Sequence, residues 1–269
     1  MVKLADLQDL KQNVIVITGG SSGLGKAIAY EAASQGAVIV VLARRQAELQ
    51  IVRDQCQALS GQPAYAYQLD VSNPEMIEQV VGQIENDIGR VDVLVNAAGF
   101  GHFETALETP MATVEQMFRV NVLGLMYLTR ALGSLMVDQG VGQIINIASM
   151  AGKMATQKSA IYSATKFAVI GYSNGLRLEL KPLGVQVTTV NPGPIDTDFF
   201  KIADQTGQYL ETVDWIVLDP ERLAKRIVRA IGHPKREINA PFLMSAAAQL
   251  YDLAPSVGDY LASTIFNQK

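Results

Sequence analysis

Short runs rich in β-branched residues alternate along this chain with longer stretches of helical period, and that alternation restricts the fold more than any other feature. NVIVIT precedes a helical stretch over 23–35, VIVVLA one over 45–60, AYAYQLD one over 74–88 and VDVLVNAAG one over about 111–138. QIINIAS then leads into 159–181, VQVTTVNPG follows, and a helix near 220–232 and a short strand near 236–240 close the series. Strands that are apolar at nearly every position suit a parallel sheet covered on both faces, where neither side of the strand meets water. The pattern predicts an α/β fold: a doubly wound, mostly parallel seven-stranded sheet with helices on both faces.

With 269 residues, 49% hydrophobic and 18% charged, the chain can bury a large core without a disulfide or metal staple. No repeat and no Gly/Ser- or Pro-rich linker divides it, so one domain over 1–269 is expected. A net charge of -4 and a pI near 5.3 disfavour nonspecific attraction to nucleic acid or to anionic membrane. Cys56 is the single cysteine and His102 and His233 are the two histidines, too few for a Cys/His zinc cluster. Zinc-dependent alcohol oxidation is thereby disfavoured, although carboxylates can still hold a hard metal. The opening residues lack the apolar run of a secretory leader, and no stretch offers about 18 uncharged apolar residues in a row, so a cytoplasmic protein without a membrane span is expected.

Two segments break the alternation. Residues 194–219 hold no clear strand but include Phe199, Phe200, Tyr209 and Trp215, which describes an excursion over the top of the sheet, either a substrate lid or plain aromatic packing. The apolar extension over 241–269 can cap the core, join an oligomer contact or touch a membrane surface.

The first strand runs directly into GGSSGLG, which places Gly19, Ser21, Ser22, Gly23, Leu24 and Gly25 in the turn that opens a helix. Glycines there remove the Cβ atoms that would hold a pyrophosphate away, and the free amides of the helix start point at the anion. The spacing G-x-x-x-G-x-G departs from the commoner G-x-G-x-x-G, but its place between strand and helix is that of a dinucleotide-binding Rossmann fold. The second strand ends in Ala43-Arg44-Arg45. A carboxylate at that place would bond the ribose hydroxyls of NAD, whereas two guanidinium forks suit a 2′-phosphate, so NADP(H) is expected over NAD(H), with Arg44 ahead of Arg45. Asp70 can accept from the adenine amino group while Val71 packs on the ring.

Tyr162 and Lys166 lie four apart, on one face of a helix, a spacing that chance alone often produces. Ser149 ends a strand thirteen residues earlier and Asn121 lies within the long helix before that. The order N…S…Y…K, with TGGSSGLG, VNAAG and NPG, resembles the short-chain dehydrogenase/reductase family over about residues 12–240. That resemblance implies a catalytic tetrad of Asn121, Ser149, Tyr162 and Lys166. It also implies that Asn96, Ala97 and Gly99 of NAAG and Pro192, Gly193, Ile195 and Thr197 of NPGPIDT shape the nicotinamide end, with Lys166 bonding the nicotinamide ribose beside Tyr162.

Elementary chemistry agrees with these roles. Hydride transfer to a carbonyl builds charge on oxygen that an acid must neutralise. A free tyrosine titrates at roughly 10, and a neighbouring ammonium brings it toward working pH. Phe103, Ala151, Met154, Phe199, Phe200 and Trp215 are candidate pocket walls, and His102 either faces the substrate or packs elsewhere. The expected partner is a small carbonyl or alcohol, and by resemblance the chain forms a homodimer or homotetramer through its long helices, which carry Leu125, Leu128, Phe167 and Leu176. The competing readings are a non-catalytic NADP-binding sensor or scaffold, against which the intact tetrad argues, and an epimerase or dehydratase, whose usual glycine spacing and larger C-terminal domain are missing.

Overall fold

The computed structural model describes residues 4–203 and 216–256. Tyr209, Trp215 and the end of the apolar extension lie outside them. Seven strands form one sheet: β1 (Val14–Thr18), β2 (Val38–Ala43), β3 (Ala64–Gln68), β4 (Val93–Asn96), β5 (Gly142–Ile147), β6 (Val185–Pro192) and β7 (Glu237–Ala240). Their order is β3-β2-β1-β4-β5-β6-β7, and every pairing is parallel. The helices are α1 (Gly23–Ser34), α2 (Gln46–Ser60), α3 (Pro74–Asp87), α4 (Met111–Phe118), α5 (Leu125–Gln139), α6 (Ala160–Leu180), α7 (Phe199–Ala203), α8 (Pro220–Val228) and α9 (Phe242–Leu253).

Successive strand side chains point to opposite faces, so each apolar run feeds two cores. Ile15, Ile17, Ile39, Val41, Val93 and Val95 pack beneath α1, α2 and α8. Their neighbours Val14, Val16, Val40, Leu42 and Leu94 pack on the other face with Ile77 and Ile84 of α3, Leu128 and Met136 of α5 and Leu176 of α6. This double burial is why the strands lack polar alternation. The winding direction reverses between β1 and β4, and such a crossover opens a crevice at the carboxyl ends of the strands.

The stretch expected as one helix over about 111–138 is divided. A π-helical segment, Arg119–Gly124, joins α4 to α5. At Gly124 the helix presses on the turn after β3, where a Cβ would stand 2.4 Å from the Val71 carbonyl oxygen. The whole stretch Met111–Gln139 is long and apolar enough by length and composition to cross a membrane, but half of its apolar 18-residue window is buried inside the fold. Leu128, Leu132 and Met136 supply its core face. Leu125, Leu128 and Leu176 all face the interior, whereas Phe167 is 48% exposed, so only the last of these four is free for a subunit contact.

The excursion after β6 is tied at its base. Ile195 and Leu218 form a parallel bridge, with Asp196 N donating to the Leu218 carbonyl (3.0 Å) and Leu218 N to the Pro194 carbonyl (2.8 Å). Among its described residues the segment thus has a single isolated bridge and the helix α7, and no strand, as its sequence suggested.

Candidate active site

A cleft of about 470 Å³ occupies the crevice above the carboxyl ends of the strands. Its nucleotide half begins where the turn after β1 meets the turn after β4. Ala97 N and Ala98 N both donate to Thr18 Oγ1 at 3.0 Å, which draws the two turns together. Gly19 has φ +66°, and a Cβ on it would lie 3.0 Å from the Ala97 carbonyl oxygen and the Ala98 backbone. At Gly25 a Cβ would stand 2.4 Å from the Gly19 carbonyl oxygen, so the turn closes on itself only with glycine there. Ser22, the N-cap of α1, makes no side-chain capping bond, which leaves first-turn amides open toward the cleft. Ser21, Ser22, Gly23, Leu24 and Gly25 all line it. A bare, amide-lined cradle of this kind fits a dinucleotide pyrophosphate.

Arg44 and Arg45 stand exposed at the rim of the same half. Arg45 is engaged: Nη2 donates to Ser21 Oγ at 3.3 Å and Nη1 lies 3.8 Å from Glu48 Oε1. Arg44 offers only its carbonyl, to Gln68 Nε2 at 2.9 Å, and among the described residues its guanidinium has no ion pair. Asp70 and Val71 line the wall beyond, with Asp70 Oδ1 accepting from Ser72 N (2.9 Å) and Ser72 Oγ (2.7 Å). Ala97 and Gly99 line the cleft, but Asn96 lies beneath it. Its Nδ2 donates to Thr129 Oγ1 (3.0 Å) and Asn146 Oδ1 (2.9 Å), and its buried Oδ1 has no partner among the described residues. Pro192, Gly193, Ile195 and Thr197 form the opposite wall.

The chemical half is built from the ends of β4, β5 and β6 and the first turns of α6. Ser149 leaves β5 in extended backbone, its Oγ accepting from Ala151 N at 3.1 Å and donating to the Pro192 carbonyl at 3.3 Å. Tyr162 and Lys166 follow one another by a turn of α6 and are both buried. Lys166 Nζ donates to the Ile147 carbonyl at 3.0 Å and lies 5.7 Å from the centre of the Tyr162 ring. Burial pushes the ammonium down from its ordinary 10.5 to about 8. The Tyr162 ring is held between Phe103 (5.9 Å, edge-on at 76°) and Phe199 (5.7 Å).

Asn121 stands on the π-helical segment and pairs with one residue twice. Phe100 N donates to its Oδ1 (3.0 Å) and its Nδ2 donates to the Phe100 carbonyl (2.9 Å), with a further bond to Thr165 Oγ1 at 3.1 Å. Gly99 fills the gap between the two polar groups: a Cβ there would be 3.1 Å from Asn121 Oδ1 and 3.7 Å from Lys166 Nζ. Ser149, Tyr162 and Lys166 therefore line the cleft directly, and Asn121 sits behind the Gly99–Phe100 wall.

Of the expected walls, Phe103, Ala151, Met154, Phe199 and Phe200 line the chemical half, and Trp215 lies outside the described residues. His102 instead pairs with Glu104 at 3.0 Å. Sequence reasoning passed over Phe100, Met150, Ile216 and Met244, which also line the cleft. Phe100 adjoins a recognised motif and was within reach; Met244 comes from α9, with no local signal to announce it.

Residues 13–207 match the family described as short chain dehydrogenase. An uncharacterized oxidoreductase of Staphylococcus saprophyticus is 34% identical over 226 residues, covering 84% of this chain and 94% of the relative. Among solved structures, L-sorbose reductase of Gluconobacter frateurii, complexed with NADPH and L-sorbose, is similar with a TM-score of 0.79 at 28% identity, covering 87% of this chain and 97% of that one. A short chain dehydrogenase/reductase of Burkholderia phymatum in complex with NAD is similar in fold, with a TM-score of 0.85 at 24% identity, covering 93% and 96% of the two chains.

Proposed function

The chain belongs to the short-chain dehydrogenase family and is an oxidoreductase, and from that premise we propose that it moves a hydride between NADP(H) and a carbonyl or secondary alcohol, with Tyr162 as general acid and base. The observation that carries this reading is the convergence of Ser149, Tyr162 and Lys166 on one end of a cleft whose other end is the glycine cradle. The nicotinamide, when bound, supplies or accepts the hydride. The chain's own groups do the rest.

In the reducing direction, charge develops on the substrate oxygen. Ser149 Oγ turns its one hydrogen from the Pro192 carbonyl to hold that oxygen, and the Tyr162 hydroxyl gives it a proton. The Lys166 ammonium beside the ring favours the phenolate left behind and would bond the ribose of a bound nicotinamide nucleotide. Asn121, fully engaged with Phe100 and Thr165, acts by position: it keeps the Gly99–Phe100 wall in place and supports a proton path from Lys166 toward solvent. Asn96 plays a comparable part at the end of β4, where its bonds lie below the cleft, while Ala97, Gly99, Pro192, Gly193, Ile195 and Thr197 would enclose the nicotinamide.

The reading assigns the 2′-phosphate to Arg44, because its guanidinium is the one not already engaged. Arg44→Asp should lower kcat/KM with NADPH by about 10- to 100-fold, the worth of a charge-assisted bond, and should change the NADH value far less. A panel of carbonyls and alcohols assayed with both cofactors measures this. A wild-type preference for NADH would remove the case for Arg44.

The same reading supplies a subunit contact. Leu123 of the π-helical segment and Tyr127 of α5 lie four apart, and Phe167 and Leu178 lie on α6, all more than 40% exposed. We assign this face to a second copy of the chain, forming a two-fold dimer or a tetramer built on it. Sedimentation equilibrium should show an oligomer that Phe167→Glu dissociates; a wild-type monomer at micromolar concentration would refute the assignment.

A further inference from the structure

The chemical half of the cleft is apolar on both sides of Tyr162, and its two walls differ in kind. One is aromatic: Phe199 and Phe200 meet with ring centres 5.2 Å apart, and Phe103 lies 6.1 Å from Phe200. The other is made of thioethers. Met150 and Met154 are buried in a cluster with Ala248, Met244 and Tyr251, the last three from α9. Met244 reaches the turn after β6 so closely that a Cβ on Gly193 would stand 2.7 Å from its sulfur.

Charge is nearly absent from these walls among the described residues. Among the described residues lining this half, the ionisable side chains besides Tyr162 are Lys166 and Asp198. Neighbouring charges pair elsewhere: Lys153 binds Glu237 at 2.6 Å and His102 binds Glu104 at 3.0 Å. A substrate rich in hydroxyls would lose its water here with few partners to replace it, a cost of the kind that makes buried polar groups selective. Hydrocarbon meets no such penalty, and flexible methionines adapt to it.

The apolar surface continues outward along α9. Met244, Ala248 and Tyr251 form its inward stripe. Leu243 and Leu250 each precede a member of that stripe by one position, so they border it, and they are 57% and 52% exposed. We infer that the substrate is an uncharged ketone, or the matching secondary alcohol, bearing an extended hydrocarbon chain. Its carbonyl sits at Ser149 and Tyr162, and its chain runs between the aromatic and methionine walls toward α9. This rests on the reductase reading above.

The test is a homologous series. With NADPH, kcat/KM for straight-chain 2-ketones of about six to fourteen carbons should rise about fourfold per methylene until the wall is filled. L-sorbose and short 2-oxo acids should be poor substrates beside the longest ketones. Met244→Glu should flatten the slope of the series, and NADPH binding followed by fluorescence shows that the variant is folded. Should that variant not fold, Leu250→Glu delivers a charge to the same path from a solvent-facing position and should flatten the slope at the longer chain lengths. A flat wild-type series, or a preference for the sugar or the oxo acid, overturns the substrate class and leaves the reductase reading standing. Bound NADPH with no carbonyl of any class reduced overturns both.

Discussion

Tyr162→Phe should lower kcat for carbonyl reduction about 10²- to 10⁴-fold, the usual worth of a positioned general acid, while NADPH affinity changes little. The substitution removes one oxygen and keeps the ring. That ring is 8% exposed and is held by Phe103 and Phe199, contacts that phenylalanine preserves. A loss of activity would therefore report the missing proton. Steady-state rates paired with a fluorescence titration of NADPH make the measurement, and activity within tenfold of wild type would show that another group is the acid.

Lys166→Met should act in two directions at once. Activity should fall by about 10²-fold or more, because the charge that favours the Tyr162 phenolate is gone; each tenfold in proton affinity corresponds to about 1.36 kcal/mol. Stability of the cofactor-free protein should rise at neutral pH. Unfolded, the lysine keeps its ordinary pKa of 10.5, and folded it titrates at about 8 because burial disfavours the charge. Between those values the unfolded chain holds a proton that the folded chain has released, so this residue makes stability rise with pH across that window. Below pH 8 both forms are charged and the burial cost is present in full, on the order of 3 kcal/mol. Methionine removes that cost, less about 1 kcal/mol for the lost bond to the Ile147 carbonyl. The variant should melt higher than wild type at pH 7, and the difference should vanish as pH approaches 10.5. A variant no more stable at pH 7 would mean that water reaches Lys166 and the charge is not buried.

The parts of the fold legible in the sequence were those that local pattern and short connection determine together. Each strand of this sheet is buried on both faces, so its composition alone marks it, and the turns after β1, β4, β5 and β6 put their motifs at one end of the sheet. Ser149, Tyr162 and Lys166 were legible for that reason: strand end, short turn, helix start. The π-helical segment was not. Arg119–Gly124 carries no composition of its own, and what accompanies it is tertiary, the close approach of Gly124 to the Val71 carbonyl. The same segment presents Asn121 to the Phe100 backbone, a pair of hydrogen bonds that no spacing rule describes. Helical period recognised Leu125, Leu128, Phe167 and Leu176 as apolar but could not say which side of the helix meets the sheet and which meets solvent. Asn96 shows the reverse case: the motif position was expected to shape the nicotinamide end, and its side chain lies below the cleft, bonded to Thr129 and Asn146. Met244 was out of reach because it enters the cleft from α9, about 50 residues after β6 ends, through packing alone.

The crossover between β1 and β4 also bears on how such a protein can diverge. On the proposed reading, the groups that would hold a nucleotide's adenosine end come from the ends of β1, β2 and β3, and those that would handle the reacting oxygen come from β5 and α6. A lineage can retune one set without disturbing the other, trading cofactors under an unchanged substrate or substrates over an unchanged cofactor. The seam where Gly19 meets Ala97 and Ala98 has no such freedom. A side chain added there would push the two halves apart, and both trades would fail together.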